Sequence, residues 1–106
     1  MSENVTGQGG YEILVGLRVV NEERYQAYRD GMTPILVRMG GAFRYDMRIE
    51  EVIRGHEGLS RVFVMSFPDK ATKEAFFADE AYLAVREEHF DPSVETAVII
   101  AEYAPA

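Results

Sequence analysis

The chain of 106 residues contains no cysteine, no tryptophan and only two histidines. Without cysteine it forms no disulfide and offers neither a thiolate ligand nor a cysteine nucleophile. The lack of cysteine fits a reducing compartment, so we expect a cytoplasmic protein. His56 and His89 lie far apart in the sequence, and we therefore expect no dedicated zinc site.

Long apolar runs and an excess of positive charge are also missing. No run approaches the roughly 18 apolar residues of a membrane-spanning helix, and the formal net charge is −7. Nucleic acids and anionic lipids both select basic surfaces, so we expect neither nucleic acid nor a membrane as a partner. Neither a P-loop nor a dinucleotide fingerprint is present, and no cofactor is expected.

The first ten residues of the chain differ in composition from the rest. Residues 1–10 are polar and rich in glycine, and they lack the basic start and apolar centre of a secretory signal. We interpret residues 1–10 as a flexible leader. Residues 11–106 have the length of one domain, and the apolar fraction of 47% is enough for one core.

Four segments have the alternation and the β-branched or aromatic content of strands: residues 11–20, 42–53, 61–67 and 94–103. In the second segment, the alternation places apolar and charged side chains on opposite faces. The apolar set is Phe43, Tyr45, Met47 and Ile49. The charged set is Arg44, Asp46, Arg48 and Glu50.

Helical patterns separate the first strand from the second and the third from the fourth. Asn21 is a suitable N-cap before an apolar stripe with helical spacing. Gly31 and Pro34 lie inside the stripe and predict a bend rather than two helices, and Gly40-Gly41 predicts a left-handed C-cap. Between residues 68 and 89, Asp69 and Asp79 each predict the start of a further helix. The apolar stripe consists of Tyr25, Tyr28, Met32, Ile35, Leu36 and Met39.

The order of elements is β-α-β-β-α-β. Right-handed crossovers then predict an α+β, ferredoxin-like fold with a four-stranded antiparallel sheet and helices on one face. The first, third and fourth strands carry apolar residues on both faces, so one face of the sheet would expose a large apolar patch. We therefore expect a homodimer that packs sheet face against sheet face about a two-fold axis.

The order and spacing of several short motifs resemble the family called domain of unknown function 1330, within the dimeric α/β-barrel superfamily. The resemblance implies a ferredoxin-like protomer, a dimeric barrel and no particular activity. At Asp46 the family typically has arginine, and Arg54-Gly55 stands where it has Glu-Gly, so both charges are reversed. His89 stands where the family commonly has a later arginine. The motifs are Tyr25-x-x-Tyr28, Pro34, Gly40-Gly41-x-Phe43, Phe67-Pro68, Ala71, Ala75, Phe77 and Tyr82.

The first group of candidate functional residues lies on the last helix. At 100° per residue, Tyr82, Arg86 and His89 share one sector of that helix. Together with Tyr28 they are candidates to bind a small acidic or phenolic ligand, and His89 is a candidate for catalytic proton transfer. The alternative for His89 is a packed histidine that is hydrogen-bonded to a carbonyl group or to Glu88.

The second group lies on the second predicted strand. Asp46, beside Arg44, Arg48 and Arg54, is a candidate for catalytic proton transfer, and the arginines are candidates for a ligand clamp. The alternative is a row of ion pairs along the rim of the sheet.

Three functions stay open. One is a homodimer that binds a small molecule in the cleft between helices and sheet, which the mixed face of Tyr82, Arg86 and His89 favours. Another, which the resemblance to dimeric α/β barrels implies, is a cofactor-independent monooxygenase-like or isomerase-like enzyme that would use His89 or Asp46 for proton transfer. The third is a dimer that recognises another protein.

Overall fold

The computed structural model describes residues 10–55 and 57–105. The predicted leader lies outside the described residues except for Gly10, and so does His56. The strands are β1 (Tyr11–Val19), β2 (Ala42–Arg48), β3 (Arg61–Phe67) and β4 (Val94–Tyr103). The helices are α1 (Glu22–Arg38), α2 (Lys70–Ala78) and α3 (Glu80–Val85), and a π-helical turn spans Arg86–Phe90.

The strands form one antiparallel sheet in the order β2-β3-β1-β4. This order confirms the predicted ferredoxin-like α+β fold. β1 lies in the centre, where Ile13 is opposite Met65 and Val15 is opposite Phe63. On its other edge β1 pairs with β4, and Val15 is opposite Ile99. A register irregularity follows Leu14 in that pairing.

The helices cover one face of the sheet, and the core lies between them. The same face collects alternate residues of β1 and β3, as the alternation in the sequence predicts. Apolar side chains from α1, α2 and α3 complete the core. The buried core residues are Ile13, Val15, Leu17, Tyr25, Tyr28, Met32, Ile35, Leu36, Phe63, Met65, Phe67, Phe76 and Tyr82.

Helix α1 begins at the predicted cap and continues through the predicted point of bending as one helix. The Asn21 side chain accepts a hydrogen bond from the Arg24 backbone N–H at 3.0 Å. Gly31 permits a close contact with α3, because a Cβ atom at this position would lie 3.0 Å from Val85 Cγ1. Gly31 therefore brings α1 and α3 together above the sheet.

The C-terminus of α1 has the predicted left-handed cap. Gly40 has a φ of +87°, which favours glycine. Its N–H donates to the Val37 carbonyl, and the N–H of Gly41 donates to the Leu36 carbonyl, both at 2.9 Å. These two bonds satisfy carbonyl groups that the end of the helix leaves free.

Strand β2 differs from the sequence prediction in its length and in the sheet faces that its side chains occupy. It ends at Arg48 rather than at residue 53, and its pairing with β3 shifts between Phe43 and Tyr45. Phe43 is opposite Met65 on the helix-covered face, whereas Tyr45 is opposite Val64 on the other face. One extra residue in a strand reverses the direction of every side chain that follows it.

The sheet face opposite the helices, called the open face below, remains partly exposed. Tyr45, Met47 and Ile100 are about half exposed there. The connection between β2 and β3 covers a part of this face, because a Cβ at Gly16 would lie 2.9 Å from Leu59 Cδ1. None of the helices in residues 10–55 and 57–105 has the length and apolar composition of a membrane-spanning helix.

Candidate functional site

A cavity of about 80 Å³ lies between the helix-covered face of the sheet and the layer of α1, α3 and the π-helical turn. We call it the tyrosine cavity. Apolar side chains form most of its wall, and Ile99 of the edge strand β4 is exposed where it contributes to that wall. The lining residues are Ile13, Val15, Tyr28, Phe63, Met65, Phe77, Tyr82, Arg86, Phe90, Ala97 and Ile99.

Two tyrosines supply the buried polar groups of this cavity. The hydroxyl oxygens of Tyr28 and Tyr82 lie 3.0 Å apart and share a hydrogen bond, and each residue is 3% exposed. Burial is the main reason why the pKa of both tyrosines is raised, and for Tyr28 the neighbouring Tyr82 raises the pKa further. Both hydroxyls are therefore hydrogen-bonding groups and not bases at neutral pH.

Arg86 brings the charge to the tyrosine cavity, and among the described lining residues it is the one charged group. Its side chain is 46% exposed, and Nε lies 3.8 Å from Oδ1 of Asp91. The guanidinium carbon lies 5.6 Å from the ring centre of Phe90, which also lines the cavity. The cavity thus combines an apolar interior with a cation that stays in contact with solvent.

The π-helical turn explains why His89 does not join Tyr82 and Arg86, contrary to the sequence prediction. The Asp91 N–H donates to the Arg86 carbonyl at 3.0 Å, five residues back, so the turn contains one residue more than an α-helical turn. The extra residue shifts the angular positions that a spacing of 100° assigns. As a result Phe90 lines the cavity and His89 does not.

His89 lines a separate groove of about 360 Å³ beside the first turns of α1, together with Asn21, Glu23, Arg24 and Ala27. Its Nε2 lies 3.7 Å from a carboxylate oxygen of Glu88. Its Nδ1 is buried and has no hydrogen-bond partner among the described residues. His89 is therefore packed beside Glu88, as in the alternative interpretation, but among the described residues it lacks the hydrogen bond to a carbonyl group or to Glu88 that this interpretation includes.

Asp46 also lies away from the tyrosine cavity. Its carboxylate makes an ion pair with Arg29 of α1, and Arg61 of β3 lies 3.3 Å from it. The Arg29 guanidinium stacks on the Phe43 ring with 3.6 Å to the ring centre. These contacts attach α1 to the edge of the sheet.

The predicted row of charges on β2 is divided between the two faces of the sheet. Arg44 makes an ion pair of 2.7 Å with Glu12, which is 5% exposed on the open face. Asp46 lies beneath α1, on the opposite face. Arg54 is exposed in the connection between β2 and β3. The structure therefore does not bring Arg44, Asp46 and Arg54 together as one clamp.

Several residues of the cavity wall were not predicted from the sequence. Phe90 is one of them, because no residue type marks the extra residue of a π-helical turn. Ala97 and Ile99 enter the wall through the irregular pairing of β1 and β4. Among the described residues, no group of three or more His, Cys, Asp or Glu side chains is placed to hold a metal ion.

Solved structures support the fold. A protein of unknown function from Rhodopseudomonas palustris has a TM-score of 0.81 and 22% identity, over 93% of this chain and 84% of that one. A dabb family protein with a ferredoxin-like fold from Mesorhizobium loti has a TM-score of 0.68 and 20% identity, with coverages of 93% and 99%. Hydroxynitrile lyase from Passiflora edulis has a TM-score of 0.70 and 14% identity, with coverages of 93% and 95%.

At these identities, the solved structures show a shared fold and no shared activity. No curated protein matches the chain. The family model is more informative, because it covers nearly the whole chain. The model described as domain of unknown function (DUF1330) matches residues 9–103, and the chain belongs to that family.

Proposed function

We propose that this protein binds a small acidic or phenolic molecule in the tyrosine cavity. The observation that carries the proposal is the combination of an apolar cavity, two buried tyrosine hydroxyls and one half-exposed arginine. Ligand pockets typically have this composition, in which apolar walls give affinity and a few polar groups fix the orientation.

The hydrogen bonding of the tyrosine pair shows what the ligand would need. Each hydroxyl has one proton, and the bond between Tyr28 and Tyr82 uses one of the two. The second proton is free to be donated to a ligand. Arg86 offers further N–H donors and no acceptor. A ligand with an acceptor oxygen and an apolar body therefore complements the cavity.

A thermal-shift series with short carboxylic acids and phenols tests this proposal. At about ten times Kd, a ligand should raise Tm by roughly 5 °C. Tyr82→Phe and Arg86→Gln should reduce the shift, whereas Arg48→Gln, an exposed arginine away from the cavity, should leave it unchanged. If no probe of either class raises Tm in the unmodified protein, the proposal fails.

The same proposal includes a homodimer that packs through the open face. Exposed apolar side chains on this face, among them Tyr45, Met47 and Ile100, support it. The face also carries both charges of the ion pair between Glu12 and Arg44. A surface with both signs of charge can be complementary to a copy of itself, as a two-fold interface requires.

The proposed function is binding, and it assigns no catalytic step. The predicted proton-transfer groups His89 and Asp46 do not line the tyrosine cavity. The likeness to the Passiflora edulis hydroxynitrile lyase is too distant to carry that activity to this chain. Recognition of another protein stays a prediction without a supporting contact.

A further inference from the structure

We infer that the ligand of the tyrosine cavity is a short aliphatic monocarboxylate, and that its carboxylate replaces Asp91 as the partner of Arg86. This inference rests on the proposed function and narrows its ligand class. Four features of the structure support it: the charge of the cavity, the position of Arg86 relative to the tyrosine pair, the loose contact between Arg86 and Asp91, and the size of the apolar interior.

The charge of the cavity favours an anion over a neutral or cationic ligand. Arg86 is the one charged group among the described lining residues. An anion in an apolar site is stable only when a cation pairs with it and its oxygens accept hydrogen bonds. Arg86 and the free proton of the tyrosine pair supply both. Arg86 would repel a cationic ligand, and no described lining residue carries a negative charge to offset this repulsion.

The position of Arg86 relative to the tyrosines is favourable for one shared ligand group. Burial raises the pKa of Tyr28 and of Tyr82, and the Arg86 charge partly opposes that rise in both. Arg86 also lines the same cavity as both tyrosines, whose hydroxyl oxygens lie 3.0 Å apart. A carboxylate between the guanidinium and the tyrosine pair would accept hydrogen bonds from both sides.

The contact between Arg86 and Asp91 is weak enough to be exchanged. Its shortest distance of 3.8 Å exceeds the length of a hydrogen bond, and both side chains are about half exposed. Exposed pairs of this kind contribute little to stability. Among the described residues, the Arg86 guanidinium makes no hydrogen bond. A ligand carboxylate that binds the guanidinium in a bidentate manner would form the two charge-assisted hydrogen bonds that Asp91 does not form.

The size of the cavity limits the body of the ligand. The volume is about 80 Å³, whereas an apolar cavity of about 150 Å³ in another protein accommodates benzene. The enclosed part therefore fits a short aliphatic chain better than an aromatic ring. Val15, Met65 and Ile99 offer it an apolar wall.

Isothermal titration with butyrate, and with the uncharged analogues butyramide and 1-butanol, tests the inference. In the unmodified protein, butyrate should bind at least about tenfold more tightly than either analogue, because it alone forms charge-assisted bonds. Arg86→Gln should remove this preference while butyramide binding stays the same. Asp91→Asn should tighten butyrate binding several-fold, because it removes the competing carboxylate.

Glu87→Gln is the matched control for Asp91→Asn. It removes one negative charge from the same exposed turn and should leave butyrate binding nearly unchanged. Equal binding of butyrate and butyramide would overturn the inference but leave the proposed function intact, and so would weaker butyrate binding by Asp91→Asn. If neither the three probes nor phenols bind, both the inference and the proposed function fail.

Discussion

The hydrogen bond between Tyr28 and Tyr82 depends on contacts between elements that are distant in the sequence. The two residues come from α1 and α3, and 53 residues separate them in the sequence. The apolar stripe of α1 predicted that Tyr28 is buried, but no local pattern predicted its hydroxyl partner. Contacts between distant elements decide such pairs, and the sequence shows only that each residue belongs to an inward face.

The raised pKa of both tyrosines predicts a loss of stability in alkaline solution. In the unfolded chain, tyrosines ionise near pH 10, while in the native state Tyr28 and Tyr82 stay neutral. The unfolded state then releases protons that the native state keeps, so the free energy of unfolding falls as the pH rises through about 10. The stability contributed by the neutral tyrosines is fully present below that pH.

Urea unfolding between about pH 9 and pH 11 measures this effect. Tyr28→Phe removes one of the two groups and should make the alkaline loss of unfolding free energy shallower by up to about 1.4 kcal/mol per pH unit. An unchanged slope in this variant would contradict the native pKa shift of Tyr28.

Gly41 is a residue whose small size the packing requires. A Cβ atom there would lie 2.5 Å from Leu36 Cδ1 and 2.9 Å from the Ser66 carbonyl oxygen. Because the oxygen belongs to the backbone of β3, it cannot move away without disturbing the sheet. Gly41→Ala should lower the free energy of unfolding by roughly 1–3 kcal/mol, measured by urea unfolding at neutral pH. A variant as stable as the unmodified protein would show that α1 and β3 separate easily.

Among the elements, the helix starts were the most predictable from sequence. Asn21, Asp69 and Asp79 each accept a hydrogen bond from a backbone N–H in the first turn of the helix that follows. Capping needs only residues that are close in the chain, and it can therefore be recognised locally. The end of β2 and the shift near Phe43 depend on pairing with β3, which no local pattern contains.

Asp79 caps the helix that carries Tyr82, one of the two tyrosines of the tyrosine cavity. Its carboxylate accepts a hydrogen bond of 3.0 Å from the backbone N–H of Tyr82. Asp79→Ala should lower the free energy of unfolding by about 1 kcal/mol. Asp79→Asn is the matched variant, because asparagine caps a helix as well as aspartate does and should cost much less. Chemical unfolding of both variants measures the difference, and equal losses would exclude a capping role.

At the scale of the whole molecule, the sequence predicted the fold but not the division of its charged residues. The order of elements and the right-handed crossovers were sufficient for the α+β sandwich. The positions of Asp46 and Arg44 on opposite faces required the irregularity in β2. The π-helical turn separated His89 from Tyr82 and Arg86 in the same way. In both places, one extra residue changed which side chains meet.

The proposed dimer predicts a specific response to charge on the open face. Met47→Glu, at a half-exposed position of this face, should convert a dimer into a monomer, because two copies would bury like charges together. Val37→Glu, at a similarly exposed position on α1, should leave the dimer intact. Sedimentation velocity at about 50 μM, well above the Kd of stable dimers, measures the mass. An unmodified protein that sediments as a monomer would contradict the dimer.

The proposed function depends on the tyrosine cavity as the place where a small molecule binds. A titration of ¹⁵N-labelled protein with butyrate, followed by amide chemical shifts, tests this most directly. We expect the largest shifts at Tyr82, Arg86 and Phe90, with the groove residues Arg24 and His89 nearly unchanged. Shifts that cluster at Arg24 and His89 would contradict binding in the tyrosine cavity, and so would spectra that neither butyrate nor a separate titration with phenol changes.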